Sequence, residues 1–412
     1  MSSSSPFGSQ LSALSPRIAS RRTVHDVAVV GAGMVGAALA LKLAQDGFDV
    51  AVIEPRAPAP WCVDDDVDLR VVALAPSSVA LFDAIGVWKP IETARACPYR
   101  RMHVWDALAP GTLDFDSADD GTATLGYIVE NRLIQHTLWQ ALQRDARVGV
   151  QCPARVAATA IDGERRTLEL DDGSRISARL VVAADGGDSV LRELTGIATR
   201  DRDYAQRAVV AHVTTTRLHE ATAWQRFLPG ATIAFLPLSD GRSSIVWSAP
   251  EADAARLLAL DDATFCSELG AAFDFRLGTI ASTTARAAFP LRLKLAERYA
   301  AERIALMGDA AHIVHPLAGQ GVNLGLRDVA ELVVTAGAER AAGRDFAAAS
   351  ALRRYERRRR SDNALSAHAF DAIQRVFGSD AMELAALRGA GLALVDRIAP
   401  LKRLFARHAA GR

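Results

Sequence analysis

The sequence predicts a mixed α/β protein built around an N-terminal βαβ unit, with a strand-rich insertion and a helical C-terminal region. Three observations predict it. Val27–Val30 is a short, wholly apolar run, the pattern of a buried parallel strand, and it leads directly into glycine-rich residues 31–36. Residues 205–290 hold strand-like runs separated by turn signals. From Arg327 onward the apolar spacing is almost wholly helical. A chain of 412 residues also exceeds what one ordinary core accommodates. The expected division is a disordered tail at 1–22, a split first domain at 23–204 and 291–345, an inserted sheet domain at 205–290, and a helical region at 346–412.

The elements follow in order. Ala37–Gln45 reads as a helix, with small residues toward the strand and Leu39, Leu41 and Leu43 packing. Asp46-Gly47 ends it, and Val50–Ile53 is a second strand with Glu54 at its tip. Residues 55–69 hold Pro55, Pro58, Pro60 and an acidic cluster at Asp64–Asp66, and read as a loop. Ser77–Ile85 is helical behind Pro76, residues 99–116 alternate as strands, and Leu133–Leu142 is an amphipathic helix. Asp171-Asp172-Gly173 is a hairpin signal between Leu168–Leu170 and Arg175–Ile176. Leu180–Ala183 is another buried strand. In the insertion, Val209–Thr216, Thr232–Leu238 and Ser243–Ser248 are strands, and Ala254–Phe273 is read as one helix. Arg303–Met307 returns as a strand of the first sheet.

Composition excludes several classes. Lys+Arg and Asp+Glu both total 48, so no global charge attracts nucleic acid. The four cysteines are dispersed, with no CxxC pair, which disfavours a zinc or redox motif and suits free thiols in a reducing cytoplasm. No apolar run reaches the roughly 18 residues that span a bilayer. Residues 1–22 are Ser-rich and carry Arg17, Arg21 and Arg22 without an acidic residue, the alternative reading being a mitochondrial transit peptide. No Ser-His-Asp order or G-x-S-x-G supports acyl hydrolysis.

The chemistry begins at Gly31-Ala32-Gly33-Met34-Val35-Gly36, a G-x-G-x-x-G between a strand and a helix. The first glycine permits the tight turn, the second lets backbone approach a pyrophosphate, and the third lets helix and strand pack closely. The helix N-terminus offers free N–H groups to phosphates. Glu54 lies 23 positions after Gly31 and suits ribose hydroxyls, while its charge disfavours a 2′-phosphate. The unit is therefore Rossmann-like and binds FAD or NAD rather than NADP. Two later strand ends select FAD. Ala183-Ala184-Asp185-Gly186-Gly187 and Met307-Gly308-Asp309 each place a carboxylate beside a glycine, the second suiting a ribityl chain.

These segments resemble the single-component aromatic hydroxylases, the para-hydroxybenzoate hydroxylase-like flavin monooxygenases. More narrowly, His315-Pro316-Leu317-Ala318-Gly319-Gln320-Gly321-Val322-Asn323-Leu324-Gly325-Leu326-Arg327-Asp328 resembles the signature of the ubiquinone-biosynthesis hydroxylases. Asp68–Leu74, Pro98–Trp105, Leu125–Arg132, Trp224–Phe227 and Phe235–Leu238 are similar to that family too, so the likeness covers about residues 25–405. Within it, the hydroxylases of the polyprenylated ring, those of the methyl-methoxy-benzoquinol type especially, are the nearest in pattern.

The resemblance implies an FAD-binding domain of the aromatic-hydroxylase type, with the inserted sheet roofing an apolar pocket. It implies an FAD-dependent monooxygenase that hydroxylates the ring of a polyprenylated phenol or quinol in ubiquinone biosynthesis, with O₂ as co-substrate. It also implies that Arg70 and Arg132 meet the phosphates or the flavin edge. No side chain need act as a covalent catalyst, and His315 and Pro316 are pocket candidates. Pro316 holds His315 extended, Gly319, Gly321 and Gly325 allow backbone near the isoalloxazine, and the helix opening near Asn323 aims N–H groups at its N1–C2=O edge, where charge develops on reduction. No second G-x-G-x-x-G occurs, so the reductant is either transiently bound NAD(P)H or an electron-transfer protein. His312 and His315 lack a third ligand, so no metal is expected. Rival readings are a prenyl reductase, a quinone oxidoreductase, a halogenase (disfavoured because Trp-x-Trp-x-Ile is missing), or a flavin-binding scaffold of a biosynthetic complex. Arg353, Arg354 and Arg357–Arg360 form a basic helix face read as solvated. Pro400–Arg407, with Leu401, Leu404 and Phe405 among basic residues, suits peripheral contact with an inner membrane or a partner.

Overall fold

The computed structural model describes residues 24–109, 111–314 and 321–377. His315, Pro316, Gly319, the 1–22 tail and the Pro400–Arg407 stretch lie outside the described residues.

The first sheet grows from its most apolar segments. Val24–Val30 is buried at Val27, Ala28, Val29 and Val30, and pairs in parallel with Val50–Ile53 on one side and Arg175–Ala183 on the other. A strand flanked on both sides within a parallel sheet and covered on both faces cannot show polar alternation, and here it does not. The order continues through Val148–Gln151 beyond Val50–Ile53, and through Ile304–Leu306 beyond Arg175–Ala183. The strand from residue 304 thus completes a sheet begun at residue 24. Leu168–Leu170 and Leu180–Ala183, read as separate features, belong to one system: Arg175–Ala183 is at once the second arm of the Asp171–Gly173 hairpin and a core strand.

The helix after the glycines is Met34–Gln45, three residues longer at its start than the apolar pattern showed. It begins inside the glycine motif, because Gly33 is extended and serves as N-cap. Eight of its residues are buried, four of them alanine, so helix and sheet approach closely. Gly36 shows how closely: a Cβ there would stand 2.0 Å from the Gly31 carbonyl oxygen.

A second, nine-stranded sheet runs from His312–Ile313 and Ala287–Ala296 through Thr199–Thr215, Ser243–Pro250, Ala231–Pro237 and Thr222–Leu228 to Arg101–Asp106 and Thr112–Asp116. The 205–290 stretch does not close this sheet by itself. Arg101–Asp106 adds in parallel to Thr222–Leu228, with Trp224 opposite His103, and Thr199–Thr215 starts six residues before the expected boundary. Edge groups left unpaired after Thr222–Leu228 need a partner, and a segment distant in sequence supplies it.

One face of this sheet packs Val209, Phe235, Ile245 and Trp247 against Phe265, Leu269 and Phe273. Phe265 and Leu269 lie on helix Asp262–Ala272 and Phe273 is its C-cap, while the preceding helix Glu251–Ala259 adds Ala254 and Leu257; a single helix was expected. Asp261 breaks it: its carboxylate accepts from Thr264 N at 2.9 Å and Thr264 Oγ1 at 2.7 Å, a side-chain cap that restarts the helix. The opposite face meets a three-stranded sheet of Val71–Leu74, Gly126–Glu130 and Cys97–Tyr99, through Ala73, Cys97 and Ile128 against Ala223, Leu236 and Leu238. The described C-terminal part is two helices, Gly321–Ala341 and Ala349–Phe377.

Gly36→Ala will lower the stability of the fold by about 1–3 kcal/mol, the range for overpacking. Urea denaturation followed by far-UV circular dichroism measures it.

Candidate active site

The strand ends of the first sheet carry the glycine motif, Glu54, the Asp185-Gly186 turn and the Gly308-Asp309 turn, and these lie together along one edge of the sheet. Gly31 adopts φ +99°, and a Cβ there would lie 2.3 Å from the Ala184 carbonyl oxygen. The turn is therefore closed to any other residue on both conformational and steric grounds. Gly33 has nothing within 4 Å of its Cβ position, so its backbone faces open space. The Met34–Gln45 helix has no side-chain cap, which leaves its first N–H groups without an acceptor there. Glu54 is held at the tip of its strand: Oε2 accepts from Ala32 N at 2.6 Å and Oε1 from Arg56 N at 3.1 Å. Its carboxylate thereby braces the glycine turn.

Asp185 follows the central strand. Its Oδ2 accepts from Leu191 N at 3.3 Å, while Oδ1 is buried with no hydrogen-bond partner. Burial pushes its carboxyl above the usual range. An orphaned buried oxygen beside Gly186, which has φ +87° and open space around it, fits a group bound from outside. Gly308 and Ala310 are buried, whereas Asp309 between them reaches water from within the cleft. Surrounding protein mass pushes the Asp309 carboxyl up, and the charges of His312 and Arg70 pull it back down.

Arg70 places its guanidinium 5.3 Å from the centroid of the Phe289 ring on the second sheet. It therefore spans the cleft from the first domain to the sheet opposite. Arg132 is further from that role. Its Nη2 donates to Asp65 Oδ2 at 2.9 Å, so its charge is half spent on the acidic loop. Glu130, unmarked in the sequence reading, organises that loop: it accepts from Trp61 Nε1 and from Asp68 N, both at 2.7 Å.

Asn323 leaves only its backbone for the role expected of the helix opening. It is fully buried, and its amide is used internally. Oδ1 accepts from Ala75 N at 2.9 Å and Ser78 Oγ at 2.7 Å, and Nδ2 donates to the Ala73 carbonyl at 2.8 Å. The side chain braces the start of the Pro76–Ala84 helix, so an approach to a cofactor here would use the backbone of the helix opening. Gly325 is likewise a packing glycine, where a Cβ would come within 2.6 Å of Val35 Cγ2 and 3.2 Å of Gly308 Cα. Gly321 opens its helix with nothing within 4 Å of its Cβ position.

Sequence reasoning missed the residues behind the cleft. Arg192 is buried, and it donates to the Ala310 carbonyl at 3.0 Å and the Gly187 carbonyl at 2.8 Å, joining the two carboxylate-bearing turns. Asp328 accepts from Gly308 N at 3.0 Å and His312 Nε2 at 2.6 Å through Oδ2, and from Arg359 Nε at 2.7 Å and Asn363 Nδ2 at 3.1 Å through Oδ1. Burial would raise this carboxyl, but the His312 and Arg359 partners outweigh it and hold it below the ordinary range. Arg359 consequently does not belong to a solvated basic face. Tyr355, Arg359 and Asn363 recur every four residues and form the inner stripe of their helix. Of its neighbours, Arg354 pairs with Glu339 and Arg358 with Glu331. Helical spacing was the available signal for Arg359, hidden inside a run of four arginines.

The FAD binding domain family model matches residues 24–366, which contain every element of this cleft. The 3-demethoxyubiquinol 3-hydroxylase of Escherichia coli is 38% identical over 386 residues, covering 94% of this chain and 98% of that one. The chain belongs to the FAD-dependent ubiquinone-biosynthesis hydroxylase family. Ubiquinone hydroxylase UbiL of Rhodospirillum rubrum is 39% identical, with 98% and 94% covered, and human mitochondrial ubiquinone biosynthesis monooxygenase COQ6 is 34% identical, with 93% and 92% covered. Among solved structures, p-nitrophenol 4-monooxygenase PnpA of Pseudomonas putida shares the fold at a TM-score of 0.73 and 19% identity, covering 94% of this chain and 99% of that one. Klebsiella pneumoniae HpxO complexed with FAD and uric acid does so at 0.68 and 22%, with 93% and 97% covered.

For a hydroxylase of this family, the open backbone at Gly33, the uncapped helix and the orphaned Asp185 oxygen fit FAD as the resident cofactor, and the enzyme is an FAD-dependent monooxygenase. Gly33→Ala will fold with near-normal stability, because its Cβ meets nothing, yet will lose FAD affinity about tenfold or more if that space holds phosphate. Thermal melting of the apoprotein and fluorescence titration with FAD separate the two effects.

Proposed function

We propose that this hydroxylase acts on the ring of a polyprenylated phenol or quinol in ubiquinone biosynthesis, with O₂ as co-substrate. The observation that carries the reading is the near full-length identity to ring hydroxylases of that pathway, joined to a cleft between a nucleotide-binding sheet and an apolar sheet face.

In this reading Gly31, Gly33 and Gly36 with the helix N-terminus hold the pyrophosphate, and Glu54 meets the adenosine ribose. Asp185, Gly186, Gly308 and Asp309 hold the pyrophosphate-to-ribityl stretch, and Gly321 approaches the ring system. Bound and reduced, FAD supplies the oxygen-activating chemistry that delivers one oxygen atom to the ring. The chain's own residues bind, orient and exclude water. Arg70 carries positive charge into the cleft beside Asp309, where it favours the accumulation of negative charge. Its stacking on Phe289 closes the cleft toward the second sheet, whose inner face presents Val210, Val246 and Ala234 to an electron-rich ring. His212 on the same face donates Nε2–H to the Asp68 carbonyl at 3.1 Å, and burial pushes its imidazole below the ordinary range, so it is neutral near pH 7. An apolar, neutral sheet face beside the cofactor suits an activated oxygen that must be kept from water.

The reductant is NAD(P)H or an electron-transfer protein, since only one dinucleotide fingerprint occurs in the sequence. No helix among the described residues is long and apolar enough to cross a membrane. A peripheral contact through Pro400–Arg407 would bring the cleft to a lipid-resident substrate, on a cytoplasmic or mitochondrial membrane surface, and proteins of the same pathway are the partners this reading favours.

Two measurements test the function. Deletion in the native host, followed by mass spectrometry of the quinone pool, is expected to show a prenylated precursor one oxygen short of the product. Purified protein given prenylphenol, O₂ and chemically reduced flavin is expected to yield the hydroxylated ring, and failure with every prenylphenol and prenylquinol tried overturns the reading. Arg70→Met is expected to lower kcat/KM by at least tenfold in that assay.

A further inference from the structure

The Asp328 carboxylate has two separate clients. Oδ2 holds the turn that carries Asp309, through Gly308 N and His312 Nε2. Oδ1 holds the Ala349–Phe377 helix, through Arg359 Nε and Asn363 Nδ2. The same helix grips the strand before the turn once more, Tyr355 Oη donating to the Leu306 carbonyl at 2.8 Å, and the antiparallel segment beside it, Glu356 Oε1 accepting from Tyr299 N at 3.0 Å. Arg359 is itself fixed on three sides, donating also to Asp362 Oδ2 and Asn363 Oδ1, each at 2.7 Å. Asp328, Asn363 and His312 are at most 2% exposed, and Arg359 is 7% exposed. In so buried a place the bonds among Asp328, His312, Arg359 and Asn363 fix one another's geometry.

This is more than a helix resting on a sheet. The turn from Gly308 to His312 departs from a strand only three residues long, and Gly308 has φ +56°. A short turn in that conformation is weakly determined by its own sequence. Strand pairing of His312 to Leu295 and Arg192 on the Ala310 carbonyl hold its far end, and the bonds to Gly308 N and the His312 ring hold its near end and so the direction of Asp309.

We propose that Arg359 is a positioning residue for the flavin: through Asp328 it orients the Gly308–His312 turn, so that the Ala349–Phe377 helix governs how Asp309 meets the cofactor and how readily the bound flavin is reduced. The inference rests on the reading of Asp309 as a cofactor-facing carboxylate. Loss of Arg359 alone leaves Asp328 with one positive partner fewer, and the uncompensated negative charge near the flavin opposes its reduction.

The test uses full-length protein and four variants. Arg359→Met is expected to raise the FAD dissociation constant about tenfold, the equivalent of about 1.4 kcal/mol, and to lower the midpoint potential of the bound flavin. Arg359→Lys retains the charge and is expected to keep the potential close to that of the parent. Should Arg359→Met fail to fold, the double variant Asp328→Asn with Arg359→Met removes both buried charges together. It is expected to melt near the parent temperature and still to bind FAD more weakly. Parent-like FAD affinity in the folded double variant, or an unchanged potential in folded Arg359→Met, overturns the proposal. Asp309→Asn is measured alongside. If it leaves FAD affinity and potential unchanged, the assignment of Asp309 to the cofactor falls, and this inference with it. If Asp309→Asn alters both and the Arg359 variants alter neither, only the inference falls.

Discussion

The cleft depends on a buried carboxylate. Asp328 has no exposure to solvent and accepts four hydrogen bonds, two from the Gly308–His312 turn and two from the Ala349–Phe377 helix. An ionised group in such a place is tolerated only because its partners are charged or well aligned. Taking one partner away while leaving the carboxylate costs about 3–5 kcal/mol in comparable buried pairs. The arrangement fixes a five-residue connection, a single 3-10 turn leading into the short His312–Ile313 strand, against the helix behind it. Arg192 performs the same service from the other side, tying Ala310 to Gly187.

Around that node the cleft is made by two sheets with different tasks. The parallel sheet ends its strands in glycines and carboxylates, where backbone N–H groups and open space are concentrated. The second sheet turns an aromatic-rich face to its own helices and a plainer face inward, and its inward face touches the first domain through small apolar residues. Arg70 is the side chain that joins them, charged toward Asp309 and stacked on Phe289. A monooxygenase needs both conditions together: polar anchoring along the cofactor and a dry compartment at its reactive end.

Much of this was legible in the sequence because it rests on local rules. Val27–Val30, the glycine motif and Val50–Ile53 follow from apolar runs and from conformations only glycine adopts, and Gly31 and Gly36 do what their spacing implies. The Asp185-Gly186 and Gly308-Asp309 turns, each an ordinary turn signal alone, stood out because they occur together with the N-terminal glycine fingerprint, in that order and spacing. The use of the Asn323 side chain was not legible. It lies in a functional signature, yet its amide braces a helix that starts almost 250 residues earlier, and no local pattern announces a contact of that separation.

The sequence by itself determined the nucleotide fold, the cofactor class and the family, since these reside in contiguous motifs whose residues act through their own backbone. Tertiary structure alone decided which polar residues are spent inside the protein and which remain for the cleft. Arg359 and Arg358 are adjacent in the chain, yet helical geometry sends one to a buried aspartate and the other to the surface. Arg70 and Arg132 were equivalent candidates, but packing leaves the first facing Asp309 and binds the second to Asp65. Burial and partner choice are properties of the assembled fold, because they depend on segments brought together only when two sheets and a distant helix have closed on one another.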